Sequence, residues 1–189
     1  MTAATSARAA ATRFRRDDWL ELGLGELVAH GKTCLTLEHL CESAGRTRGS
    51  FYHHFADHET FVRALLERWV ERQTDAVIAL VEARGGARLS SLQELAGALD
   101  HALDIAIRRL AASEPLAATT VAEVDADRLA FLEKLYRQEH GLPRARAHRL
   151  AEMEYALFVG MQTLWPDRKP EDFVSYKTLM GALLSADGA

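Results

Sequence analysis

Apolar side chains recur at helical spacing along nearly the whole chain, and this periodicity limits the possible folds more than any other feature. The clearest short example repeats at positions i, i+3, i+4 and i+7, with Leu37, Leu40, Cys41 and Ala44. No stretch of four or more residues alternates convincingly with β-branched types, as a half-buried strand does. The chain has 189 residues, 48% of them hydrophobic, which is enough for a buried core. The sequence therefore predicts an all-α protein.

Capping and turn residues divide this pattern into separate helices. The first predicted helix ends at Gly31, and a second, short helix is capped by Thr36 and ends at Gly45. Thr47 caps a third helix and Asp57 a fourth. The fourth is predicted to run unbroken to about Arg84, where two glycines follow. Further helices are predicted over residues 90–112, 121–139, 144–165 and 171–185.

Composition narrows the class of protein. No apolar run reaches the roughly 18 residues of a membrane span, and two cysteines are too few for a disulfide framework, so we expect a cytoplasmic protein. The formal charge of −4 alone argues against a nucleic-acid partner. Its distribution softens this argument, because residues 1–56 hold seven basic and six acidic side chains and the remainder 16 and 21.

The first 14 residues contain Arg8 and Arg13 but no acidic residue. We expect a flexible basic arm over residues 1–14, although its composition superficially matches an organellar transit peptide. An arm of this kind follows the minor groove of DNA in some proteins. A solvated tail is the alternative interpretation.

The stretch AGRTRGSFYHHF, residues 44–55, is unlike the rest of this Ala- and Leu-rich chain. The third predicted helix begins with Arg48, Gly49 and Ser50, which do not suit a core, whereas Phe51 and Phe55 lie four apart and can point inward. Guanidinium groups match phosphate oxygens or the acceptor pair of a guanine edge, and glycine permits close backbone approach. The short turn between the second and third helices therefore predicts a helix-turn-helix whose third helix enters a major groove.

Residues 35–66, LTLEHLCESAGRTRGSFYHHFADHETFVRALL, resemble the DNA-binding signature of TetR/AcrR-family transcriptional regulators. The resemblance implies an N-terminal three-helix DNA-binding domain over residues 15–60 and a C-terminal helical ligand-binding and dimerisation domain over residues 61–189. Two positions depart from the family pattern. Arg46 stands where a small apolar residue is usual, and His58 stands where a phosphate-binding lysine is common.

By position, the resemblance assigns nine residues to DNA contact: Thr36, Arg46, Thr47, Arg48, Gly49, Ser50, Tyr52, His53 and His58. We expect Arg48 to read bases and Tyr52 to contact phosphate. His54 is expected to be partly structural. The implied function is that of a homodimeric regulator, a repressor, which binds a palindromic operator in double-stranded DNA and is released by an unknown small-molecule inducer.

The last two predicted helices carry apolar stripes at near-heptad spacing, which favours a self-complementary dimer interface over packing in the chain's own core. The interface candidates are Leu150, Met153, Leu157, Met161, Leu164, Phe173, Tyr176, Met180 and Leu183. Side chains that add polar groups or flexible apolar bulk to inner stripes are candidates for a ligand pocket, with ordinary core residues as the alternative. They are Trp69, His101, Phe131, Met153, Phe158 and Gln162.

Other classes of function fit the sequence less well. His53, His54 and His58 invite a zinc site, but adjacent histidines point in different directions on a helix, and we expect no metal. No nucleophile motif or phosphate-binding loop is present, so we expect neither an enzyme nor a cofactor. The main alternative is a small-molecule-binding helical dimer that has lost specific DNA binding, which the acidic Glu38 and Glu42 on the second helix would favour.

Overall fold

A computed structural model describes residues 14–166, and every regular element in this range is helical. No helix in it is long and apolar enough to cross a membrane. The arm predicted before Phe14 and the helix predicted over residues 171–185 lie outside the described range. The helices are α1 (Arg16–His30), α2 (Leu37–Ala44), α3 (Arg48–Tyr52), α4 (His58–Val70), α5 (Ala76–Ala83), α6 (Arg88–Gly97), α7 (His101–Ala111), α8 (Pro115–His140) and α9 (Arg144–Leu164).

The caps predicted for the N-terminal helices are confirmed. The hydroxyl oxygens of Thr36 and Thr47 each accept a hydrogen bond from a backbone N–H of the first turn, both at 3.3 Å. The Asp57 carboxylate accepts one from the Thr60 N–H at 2.7 Å, and this bond holds the pKa of Asp57 below its usual value. Gly45 ends α2 in the left-handed region, at φ 59°.

Two predicted helices are interrupted in the structure. The fourth is not an unbroken α-helix, because a π-helical turn, Glu71–Asp75, separates α4 from α5. The segment predicted as one helix over residues 90–112 is two, since α6 ends near Gly97 and the Asp100 carboxylate caps α7 through the Ala102 N–H at 3.1 Å. The apolar stripe looked continuous because both helices turn their apolar faces to the interior.

The helices enclose two apolar cores. The first joins α1–α4 to parts of α7 and α8, and the second lies among α5, α6, α8 and α9. The three-residue connection between α8 and α9 makes these two helices antiparallel neighbours. Both cysteines, Cys34 and Cys41, are free and are buried in the first core.

A helical rod formed by α4, the π turn and α5 connects the two cores. Its α4 part buries Phe61, Leu65 and Trp69 in the first core. A Cβ atom on Gly23 of α1 would lie 2.7 Å from Phe61 Cζ and 2.8 Å from Leu65 Cδ1. Glycine at position 23 therefore lets α1 lie directly against α4, whereas Gly25 has no atom within 4 Å of such a Cβ and no packing reason to be glycine.

Ion pairs also bind α1 to this rod. Arg68 Nη2 lies 2.5 Å from Asp17 Oδ1, and Arg72 Nη1 in the π turn lies 2.7 Å from Glu21 Oε2. The hydrogen bonds that Arg72 donates to Glu21 outweigh its partial burial and raise the pKa of Arg72. The first helix is thus fixed to the rod on both sides of the junction between α4 and the π turn.

Candidate nucleic-acid interface and internal cavity

The helix α3 rests on a cluster of buried aromatic rings. Phe51, its inward-facing residue, packs against Trp19, Phe55 and Phe61 with ring centroids 5.3, 5.1 and 5.3 Å apart. All four rings are buried. This anchoring fixes which side of α3 faces inward, so the opposite side, with its first turn, is presented to solvent.

The sequence-predicted contact residues lie mainly on that outer side. Arg46 and Ser50 are half-buried, and the rest are exposed: Thr36, Thr47, Arg48, Gly49, Tyr52, His53 and His58. The Tyr52 side chain is the largest apolar surface among them, at 53% exposure. The turn thus presents hydroxyl, guanidinium and imidazole groups around the exposed backbone of Gly49, which has no side chain.

Arg48 is paired with a residue of the preceding helix. Its Nη2 lies 2.5 Å from Oε1 of Glu38 on α2, and both side chains are largely exposed. An ion pair this exposed contributes little to stability, because water competes for both partners. Another acceptor can therefore capture the Arg48 guanidinium at small cost.

Gly49 has no intramolecular reason to be glycine. The closest atom to a Cβ built at this position is Thr47 Oγ1, at 3.7 Å, which is an ordinary contact. Its backbone is helical, so left-handed geometry does not require glycine either. The missing side chain matters only to a partner that approaches the backbone from outside.

Three residues near α3 make hydrogen bonds or cation–π contacts to other residues of the chain. The His58 Nε2–H donates to the Leu35 carbonyl oxygen at 2.5 Å, and the His54 Nε2–H donates to the Phe14 carbonyl oxygen at 3.2 Å. The Arg46 guanidinium lies over the Phe14 ring, 5.5 Å from its centroid. These contacts hold α4 and the entry to α1 in place around α3.

The zinc arrangement considered from the histidines has no counterpart in the described structure. His53 and His54 meet edge to face with ring centroids 4.9 Å apart. Within residues 14–166, no three or more His, Cys, Asp or Glu side chains are grouped so that they could hold a metal ion.

A cavity of about 130 Å³ lies between the rod, α6, α8 and α9. Its apolar lining comes from all four elements and from Leu99, which follows α6: Val77, Ile78, Leu92, Ala96, Leu99, Phe131, Leu132, Leu157, Phe158 and Met161. Polar or charged side chains of six further residues reach its wall: Gln73, Thr74, Gln93, Arg128, Glu154 and Tyr155.

Only two of the six predicted pocket residues line the cavity. Phe131 and Phe158 line the cavity. Trp69 does not, because it is fully buried in the first core, and Met153 is 55% exposed. His101 and Gln162 lie outside the lining and contact each other, with Gln162 Nε2 2.5 Å from His101 Nδ1.

Four charged side chains and a tyrosine form a network beside the cavity. Asp104 and Arg108 are on α7, Asp125 and Arg128 on α8, and Tyr155 on α9. Arg108 makes two bonds to Asp125, at 2.7 and 3.0 Å, and Asp104 accepts from Arg108 and Arg128 at 3.2 Å. The Tyr155 hydroxyl donates to Asp125 Oδ1 at 2.7 Å and accepts from Arg108 Nη2 at 2.9 Å.

The network shifts the pKa values of Tyr155 and Asp125 in opposite directions. Burial raises the pKa of Tyr155 to about 12, and its hydrogen bond to Asp125 acts in the same direction. Burial opposes ionisation of Asp125, but hydrogen bonds from Arg108 and Tyr155 outweigh it and lower the pKa of that carboxyl. Asp104, which is 1% exposed, is a buried carboxylate held between two guanidinium groups.

Arg128 connects this network to the π turn. Its Nε donates to Thr74 Oγ1 at 3.0 Å and its Nη2 to the Gln73 carbonyl oxygen at 3.2 Å. Its guanidinium also lies over the Trp69 ring, 5.5 Å from the centroid. The Gln73 side chain donates to the Asp100 carbonyl oxygen at 3.0 Å. The irregular turn of the rod is thus held by the residues that line the cavity.

Sequence reasoning missed this network. Its one local signal is Asp104, which stands three residues before Ile107 on the inward face of α7, with Arg108 four residues later. A charge on an inward face predicts a buried partner. It does not say which of the other helices supplies that partner.

The predicted dimer residues divide between two faces of α9. Leu150 packs against the second core, and Leu157 and Met161 line the cavity. Met153 and Leu164 are exposed, Leu164 at 68%. The remaining candidates, Phe173, Tyr176, Met180 and Leu183, lie outside the described residues.

No protein-family model and no curated protein matches the sequence. Solved structures do match the fold. A protein assigned as a transcriptional regulator from Pseudomonas aeruginosa PAO1 has TM-score 0.69 and 20% identity, covering 91% of this chain and 90% of its own. Salmonella enterica GusR has the same TM-score and identity, covering 90% and 93%.

A third structure carries a family name. It is described as a transcriptional regulator of the TetR/AcrR family, with TM-score 0.63 and 17% identity, covering 87% of this chain and 97% of its own. The chain has the fold of these three proteins. The all-α prediction is confirmed, and two of these three proteins are described as transcriptional regulators.

Proposed function

We propose that this protein is a sequence-specific DNA-binding transcriptional regulator, a repressor that a small molecule releases from a palindromic operator. The observation that carries the proposal is the exposed first turn of α3, where Arg48 and Gly49 are held outward by the buried Phe51 anchor. A recognition helix presents its N-terminal residues to base edges in this way. The TetR/AcrR fold, found in transcriptional regulators, supports the same conclusion.

Each exposed group has a specific role in this proposal. Arg48 leaves Glu38 and donates to a guanine edge, and Gly49 lets the α3 backbone approach the duplex. The capping oxygens of Thr36 and Thr47 accept from backbone N–H groups, so their hydroxyl hydrogens are available to phosphate oxygens. Tyr52 also donates to phosphate. His58 contributes less, because its Nε2–H is bound to Leu35.

We place the dimer interface on the outer face of α9. Met153, Ala156, Gly160 and Leu164 follow one another at spacings of three and four residues. A Cβ at Gly160 would have no atom within 4 Å, so a partner helix can approach closely there. In a two-fold dimer the two α3 helices lie about 34 Å apart, which is one turn of DNA.

The ligand acts through the rod in this proposal. The cavity wall includes Gln73 and Thr74 of the π turn, and α4 continues from that turn into the core beneath α3. A ligand shifts the equilibrium only if it binds the released conformation more tightly than the DNA-bound one. We assign DNA binding to residues 15–60 and ligand binding and dimerisation to residues 61–189.

The test is a fluorescence-anisotropy titration of the full chain with DNA from upstream of its own gene and with a scrambled duplex. Each titration is made at two salt concentrations. We expect selective binding by two protomers per site and a steep salt dependence, because phosphate contacts release counterions.

Two variants separate base reading from phosphate contact. Arg48→Ala should remove about 1–3 kcal/mol of discrimination between the two duplexes, whereas Tyr52→Phe should weaken binding to both equally. Arg84→Ala is the matched control, because Arg84 is a half-exposed arginine at the far end of the rod. Equal losses in the first two variants would remove the assignment of Arg48 as a base reader.

Equal and weak binding of the wild-type protein to both duplexes would favour the alternative function, a small-molecule-binding helical dimer without specific DNA binding. The Arg48–Glu38 pair is the feature that favours this alternative, since an acidic neighbour occupies the guanidinium. Recovered selectivity in Glu38→Gln would then show that Glu38 blocks Arg48, whereas continued equal binding would favour the alternative function.

A further inference from the structure

The chemistry of the cavity wall limits what it can bind. The apolar lining described above comes from side chains of the rod and of α6, α8 and α9. Burial of a charged group against such a wall costs several kcal/mol unless the protein supplies a partner. The charge of a bound molecule therefore depends on whether any charged wall residue has bonding capacity left.

The arginine in the wall is already fully engaged. Both terminal nitrogens of Arg128 lie 3.2 Å from Asp104 Oδ1, and the group also binds Thr74 and Gln73. An anion could pair with Arg128 only by displacing Asp104, which is 1% exposed. That displacement would leave a buried carboxylate with one guanidinium fewer, so the wall opposes an anionic ligand.

The acidic residue in the wall is engaged as well. Glu154 Oε1 accepts from Gln93 Nε2 at 2.7 Å, and Glu154 Oε2 accepts from the Tyr136 hydroxyl. Each carboxylate oxygen thus already accepts one hydrogen bond. An ammonium group could bond to the remaining lone pairs of Glu154, but it would exchange its full hydration for this one carboxylate against an otherwise apolar wall, so the wall does not favour a cation either.

We propose that the ligand of this cavity is an uncharged, predominantly apolar molecule about the size of one six-membered ring. The size follows from the volume of about 130 Å³, since an engineered apolar cavity of about 150 Å³ in another protein binds benzene. This inference rests on the proposed function, because it names the chemical class of the inducer. The hydrogen bonds of Arg128 and Glu154 remain intact when such a molecule binds.

Three probes of nearly equal size and different charge test the proposal: nitrobenzene, benzoate and benzylamine. Binding to the full-length protein is measured by ligand-observed NMR and by the shift in thermal midpoint. We expect nitrobenzene to bind at least about tenfold more tightly than either ion. Near saturation it should raise the midpoint by about 2–4 °C, because it stabilises the folded state by mass action.

A filled cavity provides the site control. Ala96→Leu adds three carbon atoms at a lining position and should abolish the nitrobenzene shift, whereas Ala130→Leu makes the same change at an exposed position of α8 and should retain it. If Ala96→Leu does not fold, the ranking of the three probes on the wild-type protein still decides the ligand class.

Tighter binding of benzoate or of benzylamine than of nitrobenzene would overturn the proposal. A nitrobenzene shift that persists in folded Ala96→Leu would overturn it too, because the probe would then bind elsewhere. If none of the three probes binds, the proposal is also wrong, because the cavity then does not take one-ring molecules. DNA binding measured without any probe tests the regulator function separately, so failure of one proposal is distinguishable from failure of the other.

Discussion

On the outer turn of α3, Thr47, Arg48 and Tyr52 present polar groups to solvent, whereas beside the cavity Asp104 and Arg128 direct theirs at each other. The outer turn can exchange its weak internal contacts for an external partner at little cost. The inner network cannot, because separation of a buried ion pair leaves a charge without a partner. The first region suits a charged macromolecule, and the second suits a neutral small one.

The largest test of this contrast is Asp104→Ala. Removal of this carboxylate leaves Arg108 and Arg128 short of a partner and should lower the free energy of unfolding by about 3–5 kcal/mol, measured by urea denaturation. Glu59→Ala is the matched control, since Glu59 forms an exposed pair with Arg63 at 2.9 Å. It should cost at most about 1 kcal/mol. Similar losses in both variants would remove the distinction between the two regions.

Alkaline pH provides a second test of the inner network. The pKa of Tyr155 is raised to about 12, so the folded state retains this proton more tightly than the unfolded chain. Its contribution to stability is complete below the unfolded value near 10 and is lost as pH rises through 12. Tyr155→Phe should reduce this alkaline loss in the free energy of unfolding by about 2–3 kcal/mol. The free energy of unfolding is measured by urea denaturation between pH 9 and 12. An unchanged alkaline slope would show that Tyr155 is not coupled to folding.

Gly49→Ala tests the outer turn. The added Cβ meets only Thr47 Oγ1, so stability should rise by up to about 1 kcal/mol through helix propensity, while operator affinity should fall. Gly25→Ala is the control, because that exposed position in α1 also has open space. It should gain similar stability and keep wild-type DNA affinity. Retained affinity in Gly49→Ala would exclude close approach of the backbone at this position.

The smallest expected effect belongs to Glu38→Gln. Loss of the exposed partner of Arg48 should raise affinity for every duplex by less than about fivefold, because exposed ion pairs contribute at most about 1 kcal/mol. Glu42→Gln on the same helix shows how much of the gain comes from charge alone. Weaker operator binding in Glu38→Gln would mean instead that Glu38 orients Arg48 for base reading.

The sequence alone predicted the local architecture of the outer turn. Thr36, Thr47 and Asp57 cap helices through bonds to residues three positions away, and Gly45 ends a helix by its own backbone conformation. Phe51 faces inward as its spacing from Phe55 indicated. These features could be predicted because each depends on neighbours within one helical turn.

Only the tertiary structure decided the inner region. Arg128 meets Thr74, Asp104 and Tyr155 from three other elements, and the faces of α9 that hold Met153 and Met161 differ although both positions belong to one apolar stripe. Helical periodicity states that a residue lies on an apolar face, but the crossing of several helices decides which partner it meets there. The sequence therefore determined the helices and the exposed turn of α3. The packing of the rod against α7, α8 and α9 decided where the charges pair and where the cavity remains.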